Sequence, residues 1–524
     1  MLAAAAVLPF ADTLRYELVW DDHYIVKQVE ELWRGEGLHA VVSAPFFPHP
    51  GVPNEYYRPL VNLSLWFDGR LGGGSAGWFH LTNILLHLGC TLLCAVVLRR
   101  LMIGDLGAFA GSLLFALHPA HVESVAFVSG RTDLLAALFV FLAMLLWRGS
   151  RDAARLAGLR AVLLFASAVS FLAGSLSKEN AVLLPIALVG WDLWEANCRP
   201  STGAGWWRRN SSWLGLYGLM IVFLLVLRHT TLQPSPDELA VSENTGPLLF
   251  KEPGLAILGL LRMLRMLVLP WPHNVLYTKQ HLTLDITSAL AAGAACAFLA
   301  WATARRFNRV GGFGGLWVIL FLAPTLLVSS SGVVVIAERY LYLPLLGFCL
   351  VVGRLLGTVS QAEPRWRAAV VAAILLGAFA LGGADFARSR VWRSDLALGA
   401  DMVRTSPGSA LAHDRLGQAL LAAGRYHEAL APLLQAVRLE PLHPAYHNDL
   451  GIALRRLNQP ALAAEAFRES LRLDPSSVGT RLNLAYACIA LRDAACIEEQ
   501  RRMLAAADPA ALAKLDQALQ RWWR

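Results

Sequence analysis

Apolar residues in this chain fall in blocks, and polar residues gather at the block ends rather than alternating within them. The blocks run near 79–101, 106–127, 131–148, 159–177, 179–195, 212–228, 287–304, 313–331, 338–358 and 367–385. A helix needs about 20 apolar residues, at about 1.5 Å each, to cross a bilayer. The pattern therefore predicts an all-α, polytopic transmembrane domain. Residues 1–11 are apolar but shorter than a span, and no basic stretch precedes them as in a signal peptide. They read as a clipped or tilted first helix. Segment 254–270 carries Arg262 and Arg265 in its middle and reads as an amphipathic helix lying in the outer interface of the bilayer.

After residue 405 the period changes. Leu416-Gly417 returns as Leu450-Gly451 and as Leu484-Ala485, and Leu439-Glu440-Pro441 returns as Leu473-Asp474-Pro475, with Asp508-Pro509 closing a third unit. Each offset is 34 residues, the tetratricopeptide period. Ala429, Ala463 and Phe467 take the small and aromatic packing positions, and Pro ends each second helix because it has no N–H to donate. The chain thus divides into a membrane domain, 1–395, and a tetratricopeptide-repeat α-solenoid, 396–524, with repeats near 409–441, 442–475 and 476–509. Such repeats bind peptides or protein partners along a concave face.

Composition sharpens this reading. Of 524 residues, 56% are hydrophobic and only 16% charged, against about a quarter charged in soluble domains. Many of the 17 Trp residues lie near block ends, as at a membrane interface. The formal charge of +8 does not point to nucleic acid, because its surplus sits in short loops between blocks. Arg99 and Arg100, then Arg148, Arg151, Arg155 and Arg160, then Arg199, Arg208 and Arg209 fall in alternate loops. Arg305, Arg306 and Arg309 follow, and then Arg354, Arg365 and Arg367. The positive-inside rule makes these loops cytoplasmic, with about eleven spans, the N-terminus inside and the repeats outside. None of the seven cysteines forms a CxxC pair, so structural zinc is not indicated. Cys90 and Cys94 read as small core residues. Cys488 and Cys496 face each other across the third repeat's turn, where the second repeat has Leu454 and Leu462. A disulfide is geometrically open to them, but two small buried side chains is the preferred reading.

A second set of ionisable residues gathers on the predicted outer side. It comprises Asp21-Asp22-His23, Arg58, His80 and His87, His118, His121 and Glu123, Arg131 and Asp133, Lys178-Glu179, and Glu338-Arg339. Charges at membrane depth are costly unless they are paired or face a wet cavity. Lys178-Glu179 and Glu338-Arg339 read equally well as structural ion pairs. His118, His121 and Glu123 are metal-ligand types, yet a hydrogen-bonded turn is the simpler account, and His80 and His87 read as helix-packing residues. Asp21-Asp22 is different: adjacent carboxylates repel, which raises one pKa and suits a base or a cation site. A carboxylate there can take a proton from an attacking hydroxyl. Arg131, Lys178 and Arg339 lie on the side where a leaving phosphate would need cations.

The acidic pair, YYRPL, HLTNILLH, LHPAHVESVAFVSGRTDLLA, SKENAVLLP, ERYLYLPLLG and the trailing repeats occur in one order along the chain. Together they resemble the transmembrane tetratricopeptide-repeat O-mannosyltransferases, a family of C-type glycosyltransferases, in a bacterial-type form. That resemblance implies transfer of a monosaccharide, mannose, from a polyprenyl-phosphate donor to a hydroxyl, Ser or Thr of a protein, on the extracytoplasmic side of a bacterial inner membrane. It implies Asp21 and Asp22 as the catalytic pair, with Asp22 slightly preferred as base. Arg131, Lys178 and Arg339 would then hold the donor phosphate. Arg58, His118, His121, Glu123, Asp133, Glu179 and Glu338 would line the site. No cofactor is fixed, and a divalent metal stays open. Segment 246–286 resembles the family's central segment. The alternatives are a non-catalytic membrane scaffold whose repeats recruit partners, and a transporter. Paired outer acids argue against the first, and polar residues confined to one side argue against the second.

Overall fold

The computed structural model describes residues 1–35, 37–46, 56–101, 104–153, 155–196, 203–232, 252–278, 290, 293, 310–327, 336–358 and 363–522. Most of the apolar block 287–304, the basic loop at 305–309, Arg199 and parts of segment 246–286 lie outside the described residues. Contacts divide the chain into two compact units, Met1–His273 with His281–Ser394, and Asn274–Gln280 with Asp395–Arg524.

The first unit is helical throughout its described elements. Among the described residues, five helices are long and apolar enough to cross a bilayer: Ala76–Arg100, Val128–Asp152, Ala157–Ser175, Gly205–Thr231 and Pro364–Arg393. This is a polytopic membrane unit, but several predicted spans are not single long helices. The block at 106–127 ends as a helix at Leu117, because His118 is extended and Pro119 opens a 3-10 turn. The blocks at 179–195 and 338–358 likewise begin as 3-10 turns, and their α-helices start only at Leu184 and Pro344. Proline suits a first helical position, where its missing N–H leaves no bond unmade. Residues 1–11 form a short helix, Leu2–Val7, running into a 3-10 stretch, and Ala6 packs against Leu113, Ala116 and Leu117. In segment 254–270 the Pro253–Val268 helix buries Arg265, which donates to the Trp271 carbonyl at 2.6 Å. That arginine faces protein rather than the aqueous side of an interface, which corrects the interfacial reading at this residue.

Small residues set the closest helix approach. A Cβ on Gly107 would lie 2.2 Å from the Gly353 carbonyl oxygen, and one on Gly111 would lie 2.8 Å from that of Cys349. The Asp105–Leu117 and Pro344–Thr358 helices therefore meet backbone to backbone, as small-residue pairs allow in membranes.

Charges at the helix ends sort into two belts. In one, Arg100 pairs with Asp152 at 3.1 Å, and Arg151 and Arg209 share the buried Asp192, which Asn210 also meets at 2.7 Å. These residues belong to loops read as cytoplasmic. The other belt is the candidate site described below.

The second unit begins with the Asp395–Thr405 helix, followed by three helical hairpins. These are Ala410–Ala422 with Tyr426–Leu439, Pro444–Arg456 with Pro460–Leu473, and Val478–Leu491 with Ala494–Ala507; Pro509–Trp522 closes the stack. The small positions of the repeat work as expected: a Cβ on Gly417 would strike Leu433 at 2.4 Å, and one on Gly451 would strike Phe467 at 2.5 Å. Ala429, Ala463 and Phe467 are fully buried. The preference for two unbonded cysteines is corrected: Cys488 and Cys496 are joined by a disulfide, with Cα atoms 6.0 Å apart. The antiparallel turn brings their positions together, and closing so short a loop stabilises by about 2 kcal/mol.

Between the first two repeats, Gln418 donates to both Asp414 (3.0 Å) and Asp449 (2.6 Å). Burial, with the Asp449 charge beside it, pushes the Asp414 carboxyl up to about 8. Because the folded pKa lies above the unfolded one, this group's contribution to stability is complete at low pH. It is lost as pH rises through about 8. Hydrogen exchange of residues 410–456 should therefore speed up between pH 6 and 9 beyond the intrinsic rate. Asp414→Asn should stabilise this region at both pH values, and by about 1 kcal/mol or more extra at pH 9 than at pH 6. Equal effects at both pH values would refute the assignment.

Candidate functional site

The site is built on an irregular turn. From His118 to Val128 every residue is buried, although the backbone passes through two 3-10 turns and a five-residue helix. His118 stabilises the break itself: its Nδ1 accepts from the Ala120 N–H (3.3 Å), and its Nε2–H donates to the Leu267 carbonyl (3.2 Å).

The first acidic segment is fastened to this turn by Asp22. One carboxylate oxygen accepts from the Ser129 N–H (2.8 Å) and hydroxyl (2.6 Å), and the other from the N–H groups of Val128 (3.3 Å) and Val19 (3.4 Å). Trp20, just before the pair, has φ of 52°, a left-handed conformation costly for a bulky residue. Its ring stacks on Phe127, and Phe127 stacks on Trp392. The backbone that presents Asp21 is thus held in a strained conformation from both sides. Burial pushes the Asp22 carboxyl up to about 7, against the Ser129 and Val19 hydrogen bonds that pull it down; the Asp21 charge adds a smaller rise. Burial, more than repulsion within the pair, therefore sets the shift. Asp22 is fully buried, whereas Asp21 is half-buried and within electrostatic reach of Arg339.

The expectation that Arg131 binds a phosphate is corrected by its surroundings. It is fully buried and paired with Asp68 at 2.6 Å. Its remaining donors go to Asn83 (2.9 Å), Ser64 (3.0 Å) and the Phe79 carbonyl (2.7 Å). Every guanidinium nitrogen is engaged inside the helix packing, so Arg131 is a structural ion-pair partner rather than a phosphate ligand.

The other cations converge from separate parts of the chain. Arg58 makes a two-pronged contact with Glu179 (2.8 and 3.2 Å) and lies over the Tyr56 ring at 4.5 Å. Lys178 pairs with Asp133 at 2.6 Å. Burial lowers the Lys178 pKa; Asp133 opposes this, while Arg58 and Arg339 reinforce it. Arg339 pairs with Glu123 through its side chain and, through its backbone N–H, at 3.1 Å. Lys178 and Arg339 both flank the Tyr340 ring, at 5.1 and 5.7 Å. Arg58, Glu179, Arg339 and Tyr340 are part-exposed, unlike Arg131. Asp21, Arg58, Glu123, Asp133, Lys178, Glu179 and Arg339 therefore form one cluster, in which Glu123, Asp133 and Lys178 are buried and Asp21, Arg58, Glu179 and Arg339 keep exposed surface.

The histidines stand behind it. Glu338 is buried and accepts from His273 Nδ1 at 2.9 Å. His121 packs against Tyr342 and Phe115 at 4.2 and 4.6 Å. His118 already has both ring nitrogens bonded, and Glu123 holds Arg339. Among the described residues, no three His, Cys, Asp or Glu side chains group as a metal set. Sequence reasoning did not single out Asp68, Ser129 or His273. Asp68 lies ahead of the first long apolar block, in a stretch that hydropathy does not mark as a helix, although the structure makes it part of the Pro59–Gly72 helix. Ser129 is an ordinary hydroxyl, and the spacing of His273 to Glu338 carries no periodic signal.

Fold and site together define a polytopic helical membrane protein with an ion-paired polar site at one end of its helices, followed by a tetratricopeptide solenoid. Residues 415–478 match the family described as Tetratricopeptide repeat. The chain is 25% identical to Drosophila melanogaster "Protein O-mannosyl-transferase Tmtc3" over 91% of its own length and 58% of that protein. It is also 25% identical to the fly's "Protein O-mannosyl-transferase Tmtc1", over 86% of this chain and 62% of that one. A shorter stretch, 29% of this chain and 17% of the relative, is 34% identical to mouse "Protein O-mannosyl-transferase TMTC1". Over most of its length, then, this chain is similar to proteins named protein O-mannosyl-transferase. It spans about 58% and 62% of the two fly relatives.

Removing one partner of a buried pair leaves the other charge uncompensated, at about 3–5 kcal/mol. Arg131→Leu should therefore lower thermal stability by that order, and Asp68→Asn in the same chain should restore much of it. A double-mutant cycle by thermal unfolding in detergent measures this. Additive losses would refute the pairing.

Proposed function

We propose that this chain transfers a monosaccharide, mannose, from a polyprenyl-phosphate donor to a hydroxyl acceptor, Ser or Thr of a protein. The reaction takes place on the extracytoplasmic side of the membrane. The observation that carries this reading is the gathering of a half-buried carboxylate, Asp21, with Lys178 and Arg339. They come from three distant segments, at the ends of membrane helices. The names of the relatives support mannose as the sugar.

In this reading Asp21 is the catalytic base. It accepts the acceptor's proton as the hydroxyl oxygen bonds to the anomeric carbon. The bond from that carbon to the phosphate oxygen breaks, and its electron pair stays on the phosphate. Arg339 and Lys178 then meet the charge that develops there. Each already has a carboxylate partner, which holds it in place while leaving further N–H groups free. Asp22 is a positioning residue: it fixes the strained turn that presents Asp21. A non-catalytic scaffold would have no use for an accessible acid beside paired cations.

Two observations support an extracytoplasmic site and repeats. The arginine belt at 100, 151 and 209 lies at the helix ends opposite the site, as the positive-inside rule expects if the site is outside. The Cys488–Cys496 disulfide suits an oxidising compartment. Reporter fusions at residues 150 and 405 should report cytoplasmic and extracytoplasmic positions respectively. A cytoplasmic 405 would overturn the extracytoplasmic assignment of the repeats.

Transfer from a panel of polyprenyl-phosphate sugars to a Ser/Thr peptide by the purified chain tests the activity. Asp21→Asn should reduce transfer at least about 10²-fold, as for loss of a general base, with thermal stability unchanged. Asp22→Asn should lose transfer and stability together, because an amide turns N–H toward the backbone N–H groups the carboxylate now accepts from. Near-normal transfer by Asp21→Asn would exclude it as the base.

A further inference from the structure

Tyr340 stands at the centre of the cationic cluster, and the mechanism above does not use it. Its turn, Glu338–Leu341, sends neighbouring side chains in different directions. Glu338 goes inward to His273 and Leu341 is fully buried, while Arg339 and Tyr340 stay part-exposed. The turn is tied down by the Arg339 N–H to Glu123 (3.1 Å) and the Tyr340 N–H to the Ala337 carbonyl (3.1 Å). Lys178 and Arg339 lie within cation–π distance of the ring, at 5.1 and 5.7 Å.

We propose that Tyr340 is a ligand of the donor's phosphate, its hydroxyl donating a hydrogen bond between those of Lys178 and Arg339. The inference rests on the polyprenyl-phosphate reading of this site. An anion held by both cations that flank the ring lies beside that ring, where the part-exposed tyrosine can offer its hydroxyl. A phenol gives such an anion a neutral donor that brings no further charge to a region already crowded with Arg58, Lys178 and Arg339. Burial raises the Tyr340 pKa, Arg339 lowers it, and Tyr56, Glu123 and Asp133 raise it again, with a net rise. The proton is therefore in place for donation. As the sugar leaves, the phosphate gains negative charge and the hydrogen bond strengthens, so the effect falls mainly on kcat.

A purely structural role is a ring that spaces two cations, and phenylalanine fills that role equally well. Tyr340→Phe thus removes the hydroxyl alone. In the purified full chain, kcat should fall about ten- to a hundredfold, the worth of one hydrogen bond to a charged group. Thermal stability and the acceptor KM should be unchanged. Polyprenyl phosphate without sugar should inhibit the wild type, and its inhibition constant should rise about tenfold in the variant. Transfer and inhibition within twofold of wild type would overturn the role of Tyr340 and leave the proposed activity standing. A wild-type chain that neither transfers from any polyprenyl-phosphate sugar nor binds polyprenyl phosphate would overturn both.

Discussion

A charge placed at membrane depth has to be answered by another charge or by hydrogen bonds, and that constraint organises the first unit. Asp22, Arg131, Asp133 and Glu123 each sit where water is scarce, and each has a named partner: Ser129, Asp68, Lys178 and Arg339. The partners come from segments far apart in sequence, so satisfying the charges also fastens the helices. The first acidic segment is held to the turn before the Val128–Asp152 helix, the end of Ala157–Ser175 to the start of that helix, and the turn at 338–341 to the turn at 118–126. Replacing these pairs by apolar side chains would often be neutral for stability. Fastening alone therefore does not account for so many of them at one end of the helices.

The short helices follow from the same constraint. The Asp105–Leu117 helix has 13 residues and rises only about 20 Å, less than the ~30 Å of a hydrocarbon core. Irregular backbone at that depth is tolerated only when protein covers it, and residues 118–128 are all buried. The close contact of Gly107 and Gly111 with the Pro344–Thr358 helix draws that helix in, and the turn that precedes it carries Glu338, Arg339 and Tyr340. A short helix, a buried turn and a small-residue contact thus combine to place Arg339 beside Glu123.

Much of this was legible in the sequence because it repeats or clusters. The 34-residue period located the repeats, since small and aromatic positions recur wherever hairpins must stack. Hydropathy found the membrane helices but not their breaks, because apolar content does not reveal where Pro119, Pro185 and Pro344 interrupt or restart a helix. Residue type also singled out Asp21, Lys178 and Arg339. It could not separate Arg131 from them, since an arginine at a helix start looks the same whether it faces a ligand or Asp68. Only the three-dimensional partners Asn83, Ser64 and Phe79 make that distinction. The cysteine pair was legible as geometry but not as chemistry, because closely placed thiols and a disulfide require the same turn.

The distinction between Arg131 and Arg339 can be carried further. Both pair with a carboxylate, so pairing by itself does not separate a structural ion pair from a functional one. What separates them is the state of the remaining donors. Arg131 has no nitrogen left unbonded and no exposed surface, so nothing entering from outside can change its energy. Arg339 shares Glu123 between side chain and backbone and keeps about a quarter of its side chain exposed, so an anion can bind it without breaking the pair. The same reasoning separates Asp22, whose two oxygens hold four donors, from Asp21 beside it. In both cases the fully buried member makes the geometry, and its counterpart keeps exposed surface with which to meet a substrate. A catalytic pair of adjacent acids thus need not be two bases: one can be a hinge pin for the other, beside a strained Trp20 backbone.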